Sequence, residues 1–384
     1  MYKFKLASDI RGRLTKFIES DQFSSHNKCS KSTYWEHHAD LLSVDVGEDS
    51  VSIAGAEGFY VPEPVSLLQG INRKVWLTIS ALSRVVKSKR VTRNIILVIK
   101  KPSRLILLFN YFITRKPGLL TSEKTFDAIM SCAQVSDPIL SKFRINHLEM
   151  AKLKGVFLDS QMVKKHYSSW SGRAASDSII NHYYQQNIMR MYFDGHKNKL
   201  NTILDIGAGN GNLPSIFFHD WAPVRVIIVD LPETLAISIP YLSSQFPKAK
   251  IIMPHEVQVG ILDTDFDFAF LTVDQLDYID DDSIDLAINC DSFQEMTHEQ
   301  IAIYFKLIQR VTVESGIFFT TNRVEKIPVP NEINSYNTEQ IEPPNRFFDY
   351  PWNDKNEILA FEIDRFIRLV QVDDSYIRIE RIRK

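Results

Sequence analysis

From residue 201 onward, short apolar runs alternate with longer stretches in which apolar residues recur at helical spacing. Strands that are apolar on both faces are typical of a parallel sheet covered by helices on both sides. We therefore predict an α/β fold with a doubly wound, mostly parallel sheet, and helices that begin at Asn212, Pro232 and His298. The final residues, 364–384, predict two antiparallel edge strands. The apolar runs are TILDIG (202–207), VRVIIVD (224–230), KIIMP (250–254), FDFAFLTV (266–273), IDLAINC (284–290) and SGIFFTTN (315–322).

The residues before 201 follow different patterns. The first residues are predicted to be helical as far as a short hairpin at 50–64, and amphipathic helices are predicted at 137–158 and 176–198. Because 384 residues are enough for two domains, we predict a mixed, largely helical N-terminal accessory domain over residues 1–160. The sheet domain is predicted over residues 161–384.

A glycine-rich turn follows the first apolar run. The sequence TILDIGAGNGN places Gly207, Gly209 and Gly211 between that run and the helix predicted from Asn212. Glycines at the end of a first strand let the backbone turn sharply and approach a ligand, and the next helix presents free N–H groups. Asp230 ends the following run, where a carboxylate commonly receives the ribose hydroxyls of an adenosine-type cofactor. The alternative is a plain tight turn beside a solvated acidic residue.

The residues around this turn distinguish two kinds of cofactor. A dinucleotide fingerprint requires glycine at position 212, which is Asn212, and Asp205 lies two positions before the first glycine. A carboxylate at that point opposes a pyrophosphate but suits the cationic groups of S-adenosylmethionine. The pattern D-x-G-x-G-x-G resembles the first motif of the class I S-adenosylmethionine-dependent methyltransferases. The resemblance implies a seven-stranded, Rossmann-like sheet, S-adenosylmethionine as cofactor, and methyl transfer.

On this resemblance, the cofactor-binding residues come from the ends of several strands. Asp274 and Gln275, after the third strand, are predicted to contact the adenine, with a surface turn as the alternative. Tyr183, beside Tyr184, is predicted to close over the cofactor's carboxylate end, although an aromatic pair on an amphipathic helix is also typical of a core. The predicted cofactor-binding set is Asp205, Gly207, Ala208, Gly209, Gly211, Asn212, Asp230, Leu231, Asp274, Gln275, Asn289, Cys290 and Tyr183.

The resemblance extends to a narrower group. The segments INHYYQQNI (180–188), DLPETL (230–235) and the run 266–296 are similar to bacterial sugar O-methyltransferases found in polysaccharide gene clusters. The similarity covers roughly 165–325. It implies a sugar hydroxyl as methyl acceptor, free, nucleotide-linked or carried on a glycan. The remaining residues match only loosely and would carry the acceptor pocket.

Polar residues follow the run IDLAINC. In a parallel sheet, this strand ends on the same cleft as the glycine turn, so Asn289 and Cys290 are expected beneath the methionine part of the cofactor. A sugar hydroxyl is a poor nucleophile, and a positioned base that takes its proton typically contributes about 10²–10⁴-fold. Glu295 is the first candidate for this base, Asp291 the second and His298 the third.

The same residues have other possible roles. Paired acidic side chains can bind a divalent metal that holds two sugar hydroxyls, although the sequence assigns no metal site. Asp291 and Ser292 can cap the next helix. Thr297 and Gln300 have the spacing of a capping box.

The segment 322–352 is long, punctuated by prolines and aromatic at its end. Long segments without regular structure in compact domains are usually functional. We predict a lid over the acceptor here, with Arg323, Tyr350 and Trp352 as candidate sugar contacts.

Residues 64–122 contain twelve Lys and Arg residues and no Asp or Glu, although the whole chain has a net charge of -2. Three interpretations stay open: solvated or internally paired basic faces, a surface for an anionic acceptor, or peripheral contact with an anionic membrane leaflet. The apolar runs within the segment are too short to span a bilayer. Because an RRM-like aromatic motif is lacking, no nucleic-acid partner is expected.

The remaining composition is that of an ordinary globular protein. Cys29, Cys132 and Cys290 form no C-x-x-C pair, and the first residues lack the apolar stretch of a secretory signal, so a cytoplasmic protein is predicted. The expected partner is a small-molecule or glycan acceptor, and the sequence predicts no oligomeric state. Two alternatives to sugar methylation are an O- or N-methyltransferase acting on a non-sugar metabolite and a non-catalytic cofactor-binding module.

Overall fold

The apolar runs after residue 201 form the strands of an eight-stranded sheet. The computed structural model describes residues 2–24, 42–55, 177–193, 200–221, 223–325, 346–364 and 375–384. The strands are β4 (Thr202–Ile206), β5 (Arg225–Asp230), β6 (Ile251–Ile252), β7 (Phe268–Thr272), β8 (Ile284–Cys290), β9 (Thr312–Arg323), β10 (Glu357–Asp364) and β11 (Ser375–Arg381).

The strand order is β10-β11-β9-β8-β4-β5-β7-β6. The five pairings from β9 through β6 are parallel, whereas β11 pairs antiparallel with both β9 and β10. Every residue of β4 and β7 is buried, which requires cover on both faces of the sheet. The prediction of a doubly wound, mostly parallel α/β sheet is therefore confirmed.

Helices connect these strands at the predicted places. They are α3 (Asp177–Phe193), α4 (Asn212–Trp221), α5 (Pro232–Gln245) and α6 (His298–Val311). Pro232 occupies the first turn of α5, where its missing N–H is harmless and its fixed φ suits the helix. The Thr297 side chain accepts from the N–H of Gln300, and the Gln300 side chain accepts from the N–H of Thr297. The capping box predicted at the start of α6 is confirmed.

The edges of the sheet differ from the prediction. Strand β6, at one edge of the sheet, is only two residues long, because Pro254 begins a 3₁₀ turn over Pro254–Glu256. At the other edge, β11 is the one strand of the described residues that lies wholly within the predicted range 364–384. Its partner β10 comes earlier, and β11 lies between β9 and β10 instead of at the edge. The predicted position of the edge pair was wrong, because the second of these strands, β10, has the earlier sequence EILAFEID and pairs antiparallel with β11.

The N-terminal residues form a small sheet and two helices. Strands β1 (Tyr2–Lys5), β2 (Ser43–Val46) and β3 (Ser50–Ala54) form an antiparallel sheet in the order β1-β3-β2, with α1 (Ser8–Ile18) and α2 (Asp21–Ser24) between the first two. Of the hairpin predicted at 50–64, the described residues include only β3, which pairs with the preceding strand β2. The turn between β2 and β3 is closed by the Gly47 N–H, which donates to the Ser50 carbonyl at 2.9 Å.

By its contacts, the chain divides into two compact units. The first comprises Met1–Val61, Met189–Asp364 and Asp373–Lys384, and the second comprises Pro62–Ile188 and Arg365–Val372. The N-terminal sheet and α1 therefore belong to the same unit as the large sheet, whereas the prediction placed them in an accessory domain.

Several predicted features lie outside the described residues. These are the boundary at residue 160, the helix at 137–158, the basic segment 64–122 and most of the lid segment. Among the helices that the structure does describe, none is long and apolar enough to cross a membrane.

Candidate functional site

The turn after β4 depends on three glycines. Gly207, Gly209 and Gly211 all have positive φ, at 72°, 59° and 85°, a conformation that costs other residues about 1–2 kcal/mol. A Cβ on Gly207 would lie 2.2 Å from the Ser292 Oγ, so no side chain fits there. A Cβ on Gly211 would lie 3.0 Å from Leu242, but one on Gly209 would meet nothing within 4 Å. Gly209 is thus the point at which a ligand can approach the backbone.

The Asp230 carboxylate is fixed directly beside Gly209. Its Oδ2 accepts from the Gly209 N–H at 2.9 Å, and its Oδ1 accepts from the Leu231 N–H at 2.8 Å. The adjacent β4 and β5 are also joined by the Gly207 N–H, which donates to the Val229 carbonyl at 2.8 Å. Each carboxylate oxygen keeps further acceptor capacity. The end of β5 therefore presents an oriented acceptor next to the glycine turn.

A cleft opens at the carboxyl ends of these strands, where ligands bind in open α/β sheets. The space between its walls, counted together with the solvent at its open mouth, is about 520 Å³. Val229, Leu231 and Val273 give it an apolar wall. Its lining residues are Gly207, Gly209, Val229, Asp230, Leu231, Val273, Ser292, Met296, Gln300 and Tyr304.

Two buried carboxyl groups lie at the base of this site. Burial, and to a smaller extent the charge of Asp230, raises the pKa of Asp205 to about 8. Burial also raises the pKa of Asp230 to about 7, although hydrogen bonds from Gly209, Leu231 and Thr234 act to lower it. The Asp205 Oδ2 is buried without a hydrogen-bond partner. A cation beside this pair would favour the ionised forms of both groups.

A network of amide side chains joins the ends of β4, β8 and β9. The Asn289 Nδ2 donates to the Ile206 carbonyl at 3.0 Å, and the Ser292 Oγ donates to the same carbonyl at 3.2 Å. The Asn322 Nδ2 donates to the Asn289 Oδ1 at 2.9 Å, and the Asn322 Oδ1 accepts from the Gln294 N–H at 3.1 Å. This network fixes the floor of the cleft from below.

The predicted cofactor residues fall into two groups. Gly207, Gly209, Asp230 and Leu231 line the cleft. Six others do not line it: Asp205, Asn289 and Cys290 lie at the ends of β4 and β8, Ala208 and Gly211 lie in the turn after β4, and Asn212 is the first residue of α4.

Gln275 is placed differently from the expectation of an adenine contact. Its side chain is buried and holds the backbone, since its Nε2 donates to the Pro254 carbonyl at 2.7 Å and its Oε1 accepts from the Thr272 N–H at 2.9 Å. The neighbouring Asp274 is half-buried, next to the cleft residue Val273. The side chain of Tyr183 on α3 lies outside the described residues.

The three candidate bases surround the turn after β8. Asp291 has a φ of 61° and its N–H donates to the Thr321 carbonyl at 2.8 Å. Glu295 is half-buried at the end of the 3₁₀ turn Phe293–Glu295, and His298 is exposed at the start of α6. The described residues that line the cleft include none of the three. The Ser292 side chain does not cap the following turn and instead binds the Ile206 carbonyl.

The described ends of the predicted lid are partly packed into the core. Tyr350 is 3% exposed, and its ring contacts Phe293, Phe347 and Trp352. Trp352 is half-buried, and the Arg378 guanidinium lies 4.0 Å from its ring centroid. The Tyr350 hydroxyl is buried without a partner, and burial, with the charge of Asp291, raises its pKa. No three metal-binding side chains cluster in the part of the chain that the structure describes.

The sequence analysis did not assign to the site four residues that line the cleft. These are Ser292, Met296, Gln300 and Tyr304. Gln300 and Tyr304 are four residues apart and therefore share one face of α6. That spacing, directly after a polar strand end, is the signal that could have identified them.

Comparisons with known proteins found only weak similarities. No family model matches the sequence, and no curated protein is significantly similar to it. Among solved structures, a candidate sarcosine dimethylglycine methyltransferase from Galdieria sulphuraria has 12% identity and a TM-score of 0.38, covering 57% of this chain and 97% of that chain. Geranyl diphosphate C-methyltransferase from Streptomyces coelicolor has 11% identity and a TM-score of 0.35, covering 53% and 82%.

A third similar structure is the [4+2]-cyclase SpnF, with 15% identity, a TM-score of 0.35, and coverage of 54% of this chain and 84% of that chain. Similarities at this level assign no activity. The fold is established by the strand pairing itself: five parallel pairings, with antiparallel β11 beside β9, define a doubly wound, Rossmann-like α/β sheet.

Proposed function

We propose that the chain is an S-adenosylmethionine-dependent methyltransferase that methylates a hydroxyl group of a sugar. One observation carries the proposal. The Asp230 carboxylate is held by two backbone N–H groups at the end of β5, directly beside a glycine that leaves open space. This combination suits a cofactor with a ribose diol.

Besides Asp230, the residues around the cleft fit this cofactor in two further respects. Asp230 would accept the ribose hydroxyls, and the apolar Leu231 and Val273 offer a surface for a purine ring. The unpartnered oxygen of Asp205 lies in a buried site that favours a cation over an anion. When bound, the cofactor would supply an electrophilic methyl group attached to a sulfonium.

The acceptor half of the proposal rests on the sequence resemblance and on the residues after β8. Glu295, or Asp291 in its place, would take the proton from the acceptor hydroxyl. Both follow the strand end that forms the floor of the cleft, although neither lines it in this structure. The role of the basic segment 64–122 stays a prediction. Its positive charge supports an anionic or membrane-borne acceptor.

The cofactor is tested by isothermal titration of S-adenosylmethionine, S-adenosylhomocysteine and NAD into the wild-type protein and into Asp230→Asn. Removing a charged acceptor costs about 1.5–3 kcal/mol per hydrogen bond, which corresponds to roughly 10–100-fold weaker binding. The matched control is Asp265→Asn, since that side chain is 81% exposed in an ion pair with Lys250. Binding of NAD alone, or equal binding to both variants, would refute the proposal.

The acceptor is tested with a labelled methyl donor and three panels: sugars and nucleotide-sugars, phenolic metabolites, and amines. Label transferred to a sugar hydroxyl, located by mass spectrometry, is the expected result. Transfer to another panel would support the non-sugar alternative. Tight cofactor binding with no transfer to any panel would favour a non-catalytic binding module.

A further inference from the structure

The N-terminal helix α1 holds the edge of the large sheet close to the cleft. The Arg13 Nε donates to the Glu256 Oε1 at 2.6 Å, and its Nη2 donates both to the Glu256 Oε2 and to the Ile251 carbonyl. The Glu256 Oε2 also accepts from the Met253 N–H at 3.0 Å. One guanidinium thus joins the short strand β6 to the 3₁₀ turn Pro254–Glu256.

That turn is connected in its own right to the cleft wall. The Pro254 carbonyl accepts from the Gln275 Nε2 at 2.7 Å, and the Gln275 Oε1 accepts from the Thr272 N–H at 2.9 Å. Thr272 immediately precedes Val273, which lines the cleft. Hydrogen bonds, joined by the backbone of the Pro254–Glu256 turn and by the peptide bond between Thr272 and Val273, therefore connect α1 to the cleft wall.

The pairing of Arg13 with Glu256 has the features of a specific contact. It is bidentate, and a planar guanidinium matches a carboxylate in this geometry as a lysine cannot. Both side chains are 30% exposed, in contrast to the surface pair of Lys250 and Asp265, which are 61% and 81% exposed. The hydrogen bond to Glu256 outweighs burial and raises the pKa of Arg13, so the cation persists at all working pH values.

We infer that Arg13 is a positioning residue for the cofactor site, which it stabilises through the Pro254–Glu256 turn and Gln275. The inference rests on the proposed function, because it concerns the affinity of the proposed cofactor site. It assigns to the N-terminal segment an indirect effect on ligand binding.

The test measures S-adenosylhomocysteine affinity and the free energy of unfolding for Arg13→Gln, Gln275→Leu and the double variant. The matched control is Arg11→Gln, because Arg11 lies on the same helix but donates to the carbonyl of Leu6 within the N-terminal segment. Arg13→Gln is expected to weaken binding 3–10-fold under conditions where the protein is fully folded, while Arg11→Gln binds as the wild type does.

The double variant distinguishes a connected series of contacts from two independent ones. Residues that act through one network are non-additive, so Arg13→Gln should weaken binding little further once Gln275→Leu is present. If Arg13→Gln fails to fold, Arg13→Lys replaces it, with a smaller loss expected because the charge is retained.

The outcomes separate this inference from the proposed function. A wild-type protein that binds neither S-adenosylmethionine nor S-adenosylhomocysteine would refute the proposed function, and this inference with it. Wild-type binding with equal affinity in Arg13→Gln, or fully additive losses in the double variant, would refute the inference alone.

Discussion

The glycines of the turn after β4 have separable roles, which a pair of alanine substitutions can distinguish. Gly207 and Gly209 both have positive φ, at 72° and 59°. A Cβ on Gly207 would lie 2.2 Å from the Ser292 Oγ and 2.5 Å from its Cβ, whereas a Cβ on Gly209 would meet nothing within 4 Å. Gly207→Ala should therefore reduce stability, and Gly209→Ala should chiefly reduce ligand binding.

The expected magnitudes follow from these distances. Either substitution places a non-glycine residue in the left-handed region, which costs about 1–2 kcal/mol. Gly207→Ala must also displace Ser292, whose Oγ is bonded to the Ile206 carbonyl and to Asn289. Each lost bond adds about 0.5–1.5 kcal/mol. We expect a total loss of about 3 kcal/mol or more for Gly207→Ala and about 1 kcal/mol for Gly209→Ala.

Urea unfolding at constant pH gives both values, since the slope should be unchanged and the midpoint should shift. The double variant Gly207→Ala with Ser292→Gly removes the clashing atoms. Its loss should therefore be smaller than the sum of the single losses. The same variants are then titrated with S-adenosylhomocysteine. Relative to its loss of stability, Gly209→Ala should lose more affinity than Gly207→Ala does. Equal stability losses in the two single variants, or strict additivity in the double variant, would refute the steric argument.

Two further changes test the buried polar groups. Folding raises the pKa of Asp205 from 3.8 to about 8, because the neutral acid is favoured in the buried site. The contribution of this group to stability is therefore complete below pH 3.8 and is lost as pH rises through about 8. Asp205→Asn should remove this loss. Its free energy of unfolding relative to wild type should rise by up to about 1.4 kcal/mol per pH unit between pH 5 and 8. If urea unfolding shows the same difference between variant and wild type at every pH, the argument is contradicted. Tyr350→Phe removes a buried hydroxyl without a partner and should stabilise the protein by about 1 kcal/mol or more. Destabilisation in the same assay would show that the hydroxyl has a partner.

The central sheet and the glycine turn could be predicted because each depends on local sequence. The runs that form β4, β5, β7 and β8 are nearly continuous apolar segments of strand length, and burial on both faces requires that pattern. The glycines follow directly on one strand, and the acidic residue ends the next strand. The turn and helix between them set the number of residues that separate the two features. Composition and spacing were sufficient for these features.

The features that could not be predicted depend on contacts between distant residues. Nothing in the spacing of α1 indicates that Arg13 pairs with Glu256, because the contact joins residues 243 positions apart. Gln275 was predicted as an adenine contact, but its side chain binds Thr272 and Pro254, and a sequence cannot reveal which way an amide points. The edge strand β10 was missed although EILAFEID contains the apolar run ILAF (358–361), because that run does not reveal that it pairs with β11.

The contact between Arg13 and Glu256 also has a consequence for the order of folding during synthesis. The two residues are separated by 243 positions, an interval of about 12 to 50 s at 5–20 residues per second. The small sheet of β1, β2 and β3 can form early from neighbouring residues. Phe4 is buried in the folded protein, where its ring centroid lies 6.4 Å from that of Tyr241 on α5. Phe4 cannot make this contact until α5 has left the ribosome. The yield of correctly folded chain should therefore depend on translation rate and chaperone supply, because this apolar surface stays uncovered for most of the synthesis of the chain.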